Sequence, residues 1–293
     1  MKILIAGWFS FEVMGATAGD LLCKDILCDW FDKEKIPYDV ALSPPFVGGV
    51  RWEKTTPQDY THVVFTCGPF GNGYPVTEFL DHFKGCRLIG INLSMLQSLD
   101  EWNPFDLLLE RDSSRTCNPD LTFLSTAKKV PIVGLVLVEP QKEYGKRARH
   151  QEANKTIKNL LEKQLCAIVP IDTRLDVPNK GGLRTPEEIE SLISRMDLVI
   201  TTRLHGMVLA LKNDVPVLAV DAIEGGAKIA KQAKVIGWPN IIIIDNLNEK
   251  SILEGYEYCL TKECAVKIRK CYESVNNQLK NIKNNVINFI NNK

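Results

Sequence analysis

The sequence predicts an α/β protein of two parallel-sheet domains, and three observations carry that expectation. Short apolar runs, each reading as a buried strand, alternate with stretches of helical periodicity. The alternation restarts near residues 125–130, after a first set of strands has ended. The 293 residues are enough for two domains of ordinary size. The expected division is 1–126 and 127–293.

In the first domain, Lys2–Ala6 is the opening strand. A polar and aromatic loop from Gly7 to Gly19 leads to Asp20, expected to cap a helix in which Leu21, Leu22, Ile26, Leu27, Trp30 and Phe31 recur at helical spacing. Pro37 stops that helix and Tyr38–Leu42 is the next strand, which completes a βαβ unit. His62–Thr66 is a third strand, followed by Cys67-Gly68-Pro69-Phe70-Gly71-Asn72-Gly73. Glycines there either admit a ligand to the backbone or make a tight turn. The spacing is not that of a dinucleotide fingerprint, so a nicotinamide site is rejected. Pro75–Lys84 reads as helix, and Arg87–Asn92 and Asp106–Glu110 read as strands. Arg111 then stands where a strand's C-terminal end should lie, the edge at which open parallel sheets bind ligands. A surface ion pair accounts for Arg111 equally well.

The second domain opens on the apolar run Pro131–Val138. The charged stretch Gln141–Gln151 is either a basic loop over an anion or a solvated face. Glu152–Lys163 is an amphipathic helix and Leu165–Pro170 a strand. Thr185-Pro186-Glu187-Glu188 is a helix start, with a capping hydroxyl, a first-turn proline and an acid three residues after the cap. Strand Leu198–Ile200, a helix over Gly206–Asn213 and strand Val215–Val220 follow. Gly225-Gly226 and Lys228 come after that strand, then a helix ending at Gly237-Trp238-Pro239, and strand Ile241–Ile244. In the tail, Val275, Leu279, Ile282, Val286 and Phe289 share one face of a helix expected to pack on the body.

Formal net charge is zero, which argues against a nucleic-acid binder held by a basic field. Met1–Ala6 reads as a strand rather than a signal peptide, and no run is long and apolar enough for a transmembrane helix. A cytoplasmic protein is expected. Contact with the inner membrane face and oligomerisation are left open. The nine cysteines do not show zinc-type spacing and read as reduced, mostly buried small hydrophobes. No metal and no cofactor is expected.

The chemistry concentrates at Thr201-Thr202-Arg203-Leu204-His205-Gly206, where a buried strand meets a helix start. Such a start presents free N–H groups and partial positive charge to anions. Arg203 adds a planar fork for carboxylate or phosphate, and His205 a group titrating near neutral pH. Capping and pairing would explain the same residues without a ligand.

The run from Arg184 through Asp197-Leu-Val-Ile-Thr-Thr-Arg203-Leu-His205-Gly to Val215-Pro-Val-Leu-Ala-Val-Asp221 resembles the polysaccharide pyruvyl transferase family. Glu110-Arg111-Asp112-Ser-Ser and Asn118-Pro119-Asp120 resemble further family motifs, and the loop ending Gly19-Asp20 sits where the family has a Gly-Asp loop. The loop lacks the usual asparagine, and Pro69 and Phe70 stand where consecutive glycines are common. The resemblance implies two Rossmann-like domains in a GT-B-like arrangement with an interdomain cleft. It also implies transfer of a pyruvyl group from phosphoenolpyruvate, a co-substrate, onto sugar hydroxyls of a cell-surface glycan or its precursor, forming a ketal. On that reading Arg203 and His205 are catalytic. Arg111, Gly206, Gly225, Gly226 and Lys228 bind the donor, and Asp20, Gly68, Gly71 and Asn72 the acceptor. Two other readings stay open: a GT-B-type glycosyltransferase using a nucleotide sugar near Gly225-Gly226 and Lys228, and a non-catalytic sugar- or nucleotide-binding module.

Overall fold

The computed structural model describes residues 2–138, 142–176 and 178–291. Met1, Gln141 and the side chain of Lys142, all read above from sequence, lie outside the described residues. Two compact units are present, Met1–Lys128 and Lys129–Lys293.

The first unit contains β1 (Ile3–Gly7), α1 (Ala18–Lys33), β2 (Tyr38–Val40), β3 (His62–Thr66), β4 (Pro69–Phe70), α2 (Val76–His82), β5 (Arg87–Ile91), β6 (Ser94–Met95) and β7 (Leu107–Leu109). Five of these strands form a wholly parallel sheet in the order β2-β1-β3-β5-β7, and β4 pairs with β6 beside it. Alternation along β1 and β3 sorts side chains to opposite faces. Leu4, Ala6, Val63 and Phe65 meet Phe79 of α2 and Phe83 just past its end, whereas Ile3, Ile5 and Val64 meet Leu27 of α1. Helix α1 begins earlier than the sequence suggested. Thr17 is its N-cap and Asp20 lies in its first turn, reaching back to the Thr17 N–H and hydroxyl at 2.7 Å each. A carboxylate three residues past the cap can satisfy the cap's own amide, which is why Asp20 sits inside the helix rather than before it.

The second unit contains β8 (Ile132–Val136), α3 (His150–Glu162), β9 (Ala167–Pro170), α4 (Pro186–Ile193), β10 (Leu198–Thr201), α5 (Leu204–Lys212), β11 (Val217–Asp221), α6 (Lys228–Ile236), β12 (Ile241–Ile243), α7 (Glu249–Cys259) and α8 (Lys262–Asn291). Its sheet is also wholly parallel, in the order β12-β11-β10-β8-β9. Val199, Val217 and Ala219 face α4, α5, α6 and α8, and Leu198, Ile200, Leu218 and Val220 face α3 and α7. Helices therefore cover both faces, which is why these strands read as continuous apolar runs. Only the first turns of α8 bury their stripe, through Cys264, Ile268 and Cys271. Leu279, Ile282, Val286 and Phe289, expected to pack, are exposed. A 30-residue helix is about 45 Å long, longer than the core it starts from.

Numbered within each unit, the two sheets share one strand order, 2-1-3-4-5, so both units are Rossmann-like. In this topology the chain leaves the first strand toward one edge and later returns to build toward the other. Ligands bind at the resulting switch point, beyond the C-terminal ends of the first and third strands. Those ends are Gly7 and Thr66 in the first unit, and Val136 and Thr201 in the second.

Candidate functional site

Each switch point holds a pocket. In the second unit the turn between β10 and α5 is built by two buried threonines. Thr201 Oγ1 donates to the Val136 carbonyl at 2.9 Å and accepts the Arg203 N–H at 2.9 Å. Thr202 Oγ1 accepts the Val138 N–H at 2.8 Å, and Asn154 Nδ2 donates to the Val138 carbonyl at 3.1 Å. These bonds lash the turn to the end of β8 and fix the backbone of Arg203, the N-cap of α5. Helix α5 starts at Leu204 rather than at Gly206, so Gly206 is a first-turn residue. It is buried, and a Cβ there would stand 2.3 Å from Thr201 Oγ1 and 3.0 Å from the Val136 side chain. Its absent side chain lets the helix sit down on the sheet. Close packing against β8 and β10 is what this position shows.

The Arg203 side chain enters a pocket of about 870 Å³ whose walls include Asn154, Lys158, Asp172, Arg174 and Lys180. Asp172 holds Arg174 through both carboxylate oxygens, at 3.2 and 3.1 Å. That contact, reinforced by the charge of Arg203, keeps the Asp172 carboxyl below its ordinary range despite burial. Asn179 braces the connection by donating to the carbonyls of Asp172 and Arg174 at 2.7 and 3.0 Å. The guanidinium of Arg203, by contrast, has no hydrogen-bond or ion-pair partner among the described residues. Burial lowers its pKa, the charge of Asp172 opposes that, and Arg174 adds to it. It remains protonated, as arginine does in proteins. Four cations, Arg203, Lys158, Arg174 and Lys180, against the single carboxylate of Asp172 give the pocket a net positive lining, which suits an anion.

His205 is not among the residues lining this pocket. It is exposed, and its imidazole has no hydrogen-bond partner among the described residues. Gly225, Gly226 and Lys228 do not line the pocket either. The Gly225 N–H donates to Asp245 at 2.7 Å, the Gly226 N–H to the Ile223 carbonyl at 2.8 Å, and the Ala227 and Ala230 N–H groups to Asp221 Oδ2 at 2.8 and 2.9 Å. A protein carboxylate, that of Asp221, therefore occupies the anion position at the start of α6. Lys228 lies over the Tyr144 ring at 5.8 Å. In the basic stretch before α3, Arg147 donates to the Glu224 and Gly226 carbonyls and Arg149 pairs with Glu152. These cations hold protein groups.

The first unit's pocket, about 580 Å³, brings together Trp8, Asp20, Cys67, Gly68, Arg111 and Asp120. Arg111 thus lines this pocket, and the Arg203 pocket is lined by residues of the second unit alone. Its fork is occupied: it donates to Asp120 at 2.9 Å, to Asp112 at 3.0 Å and to Ser94 Oγ. The ion-pair account of Arg111 is the one its contacts support. Gly71 and Asn72 are outside the lining, and the Asn72 N–H donates to Gln97 Oε1 at 3.1 Å. Burial would raise the Asp120 carboxyl. The amide and hydroxyl of Thr122, with Arg111 and Asn92, instead bring it down to about 2. An unfolded aspartate titrates near 3.9, so Asp120 stabilises the fold above roughly pH 4, and that contribution is lost as pH falls toward 2. Asp120→Asn is expected to lower Tm at pH 7 and to flatten its further fall on acidification, read as Tm against pH. An unchanged slope would remove Asp120 from the acid response.

The family model described as polysaccharide pyruvyl transferase matches residues 111–222. The matched segment holds every residue lining the Arg203 pocket, together with Arg111, His205 and Gly206. Asp20, Gly68, Gly225, Gly226 and Lys228 lie outside it. No curated protein sequence matches the chain. Among solved structures, the UDP-GlcNAc 2-epimerase from Methanocaldococcus jannaschii is similar at 14% identity and a TM-score of 0.33, covering 89% of this chain and 93% of that one. The spinosyn rhamnosyltransferase SpnG, complexed with thymidine diphosphate, is similar at 10% identity and 0.35, covering 94% and 96%. The E. coli ADP-heptose lipopolysaccharide heptosyltransferase II is similar at 13% and 0.30, covering 90% and 99%. Among the described residues, no helix is long and apolar enough to cross a membrane, and no group of three acidic, histidine or cysteine residues is placed to hold a metal.

The residues that sequence reasoning missed are Asn154, Lys158, Asp172, Arg174 and Lys180. One signal was available for three of them. The connection from Ile171 to Thr185 is long, has no helix or strand among its described residues and leaves the C-terminal end of a strand, which is where functional loops gather.

Proposed function

We propose that this protein is a transferase that moves the pyruvyl group of phosphoenolpyruvate onto two hydroxyls of a sugar in a cell-surface glycan or its precursor. The observation that carries the reading is the unpartnered guanidinium of Arg203 in a pocket shared with Lys158, Arg174 and Lys180. Phosphoenolpyruvate bears a carboxylate and a phosphate on a three-carbon frame, so its pocket needs several cations at close quarters. Arg203 is assigned the bidentate contact, with Arg174 held in place by Asp172 and the lysines supplying the remaining charge.

Ketal formation requires a proton on the methylene carbon, positive charge at the central carbon and loss of protons from two attacking hydroxyls. His205 is assigned the proton transfers, because an imidazole nitrogen can both give and take a proton and this one has no hydrogen-bond partner among the described residues. The first unit's pocket is assigned the acceptor. The Asp20 carboxylate, whose Oδ1 accepts no hydrogen bond among the described residues, suits a sugar hydroxyl, which donates to it, and Gly68 leaves backbone within reach. The amides of Gly225, Gly226 and Ala227 go to Asp245, the Ile223 carbonyl and Asp221, which weighs against a nucleotide diphosphate there.

The test is incubation with phosphoenolpyruvate and a panel of free, lipid-linked and nucleotide-linked sugars. Release of inorganic phosphate is expected only with an acceptor present, matched by an acid-labile product carrying the pyruvyl ketal. Turnover of a nucleotide sugar with none of phosphoenolpyruvate would overturn the reading.

A further inference from the structure

The first unit's pocket also carries a pair of thiols that the transfer reaction does not use. Cys67 immediately follows the central strand β3, and Asn92 immediately follows its neighbour β5. Both adopt left-handed backbone, with φ of +66° and +57°, and both are buried. Non-glycine residues in this region are strained, and they persist where surrounding structure over-determines them, commonly at functional positions. Here the two strained residues converge. Asn92 Nδ2 lies 3.3 Å from Cys67 Sγ, 3.5 Å from Cys23 Sγ on α1, and 3.2 Å from Asp120 Oδ1. Thr66 Oγ1 donates to the Cys67 sulfur at 3.6 Å, and the single Asn92 amide nitrogen spans the two thiols. The neighbouring Cys23 thiol lowers the Cys67 pKa, against burial and with help from Asn92 and Thr66, while that of Cys23 is raised. Both cysteines are free, Cys67 lines the pocket and Cys23 is fully buried behind it.

We propose that Cys67 is an oxidant-reactive thiol opening onto the pocket, with Cys23 as its resolving partner, and that a hydroperoxide converts the pair to a disulfide beneath the pocket. The Cys67 thiolate attacks one peroxide oxygen, the O–O bond breaks, and the other oxygen leaves with a proton as water or an alcohol. Cys67 is then a sulfenic acid. The Cys23 sulfur attacks the Cys67 sulfur, the S–O bond breaks, and the oxygen departs as water with the Cys23 proton. Two thiols lose two electrons and the peroxide gains them.

The second unit supplies an internal comparison. Asn240 Nδ2 lies 3.1 Å from Cys259 Sγ, and Cys264 is the neighbouring thiol, which raises the Cys259 pKa. These two cysteines lie within the hydrophobic cores, and neither has left-handed backbone. The amide and the thiol pair are thus common to both places, and only Cys67 adds access from a pocket.

The native full chain is treated with hydrogen peroxide in the presence of dimedone, then alkylated and mapped by peptide mass spectrometry. The Cys23–Cys67 cross-link is expected to accumulate while Cys259 and Cys264 stay reduced. In Cys23→Ser, a dimedone adduct on Cys67 should replace the cross-link. Oxidation of the exposed Cys117 with Cys67 left reduced would overturn the proposal, as would cross-linking of Cys259 to Cys264 at the same rate.

Discussion

Arg203→Met is expected to abolish most turnover of phosphoenolpyruvate while leaving Tm unchanged or slightly raised. The sign of the stability change separates a ligand-binding arginine from a structural one. A buried cation with a protein partner leaves that partner uncompensated when it is removed, and such losses cost about 3–5 kcal/mol. Arg203 has no hydrogen-bonded or ion-paired partner among the described residues, and Asp172 keeps its two bonds to Arg174, so replacement by an apolar side chain of similar length removes a desolvated charge and leaves no carboxylate unpaired. Stability given up for function at a site is released when the site residue is neutralised. The kinetic loss should be on the order of 10²–10³-fold in kcat/KM, the range found when a single preorganised donor to a reacting anion is removed. Arg203→Lys keeps the charge and loses the planar fork, so a defect in that variant as well would show that bidentate geometry matters. A marked fall in Tm with normal kinetics would make Arg203 a structural residue.

His205→Ala should lower kcat by about 10²–10⁴-fold, the contribution of a positioned acid–base group. The imidazole is exposed and unbonded, so Tm should not move. Donor affinity should change little, because His205 does not line the pocket that holds Arg203. The pair of variants therefore separates binding from chemistry: one loses the anion, the other keeps it and fails to turn over. Unaltered kcat in His205→Ala would withdraw the proton-transfer role and leave the motif as an anion site alone.

Much of the frame was legible because local and tertiary demands agree. Thr185-Pro186-Glu187-Glu188 announced a helix start, and Thr185 Oγ1 does accept the Glu188 N–H, at 3.2 Å, with Pro186 in the first turn. The strands covered on both faces had to be apolar throughout, so β8, β10 and β11 stood out as runs. The turn after β10 was also legible, since a strand ending in Thr-Thr-Arg before a helix leaves few places for the arginine. What the sequence did not show is which distant residues meet there. Lys158 sits on the polar face of α3, where a lysine looks like ordinary solvation, and Arg174 and Lys180 sit in a connection without periodicity. Their convergence on Arg203 follows from strand order, which periodicity does not encode. Arg111 illustrates the reverse: its position at a strand end suggested a ligand, and Ser94, Asp112 and Asp120 supply its partners from within the first unit. The outer half of α8 shows a third case, an apolar stripe whose period is right for packing but which outruns its core.

Isothermal titration of phosphoenolpyruvate into the wild-type protein and into Arg203→Met tests the central claim most directly. The account predicts measurable binding to the wild type and its loss in Arg203→Met, with UDP and GDP giving no heat at this site. Equal binding of phosphoenolpyruvate by both proteins would contradict it.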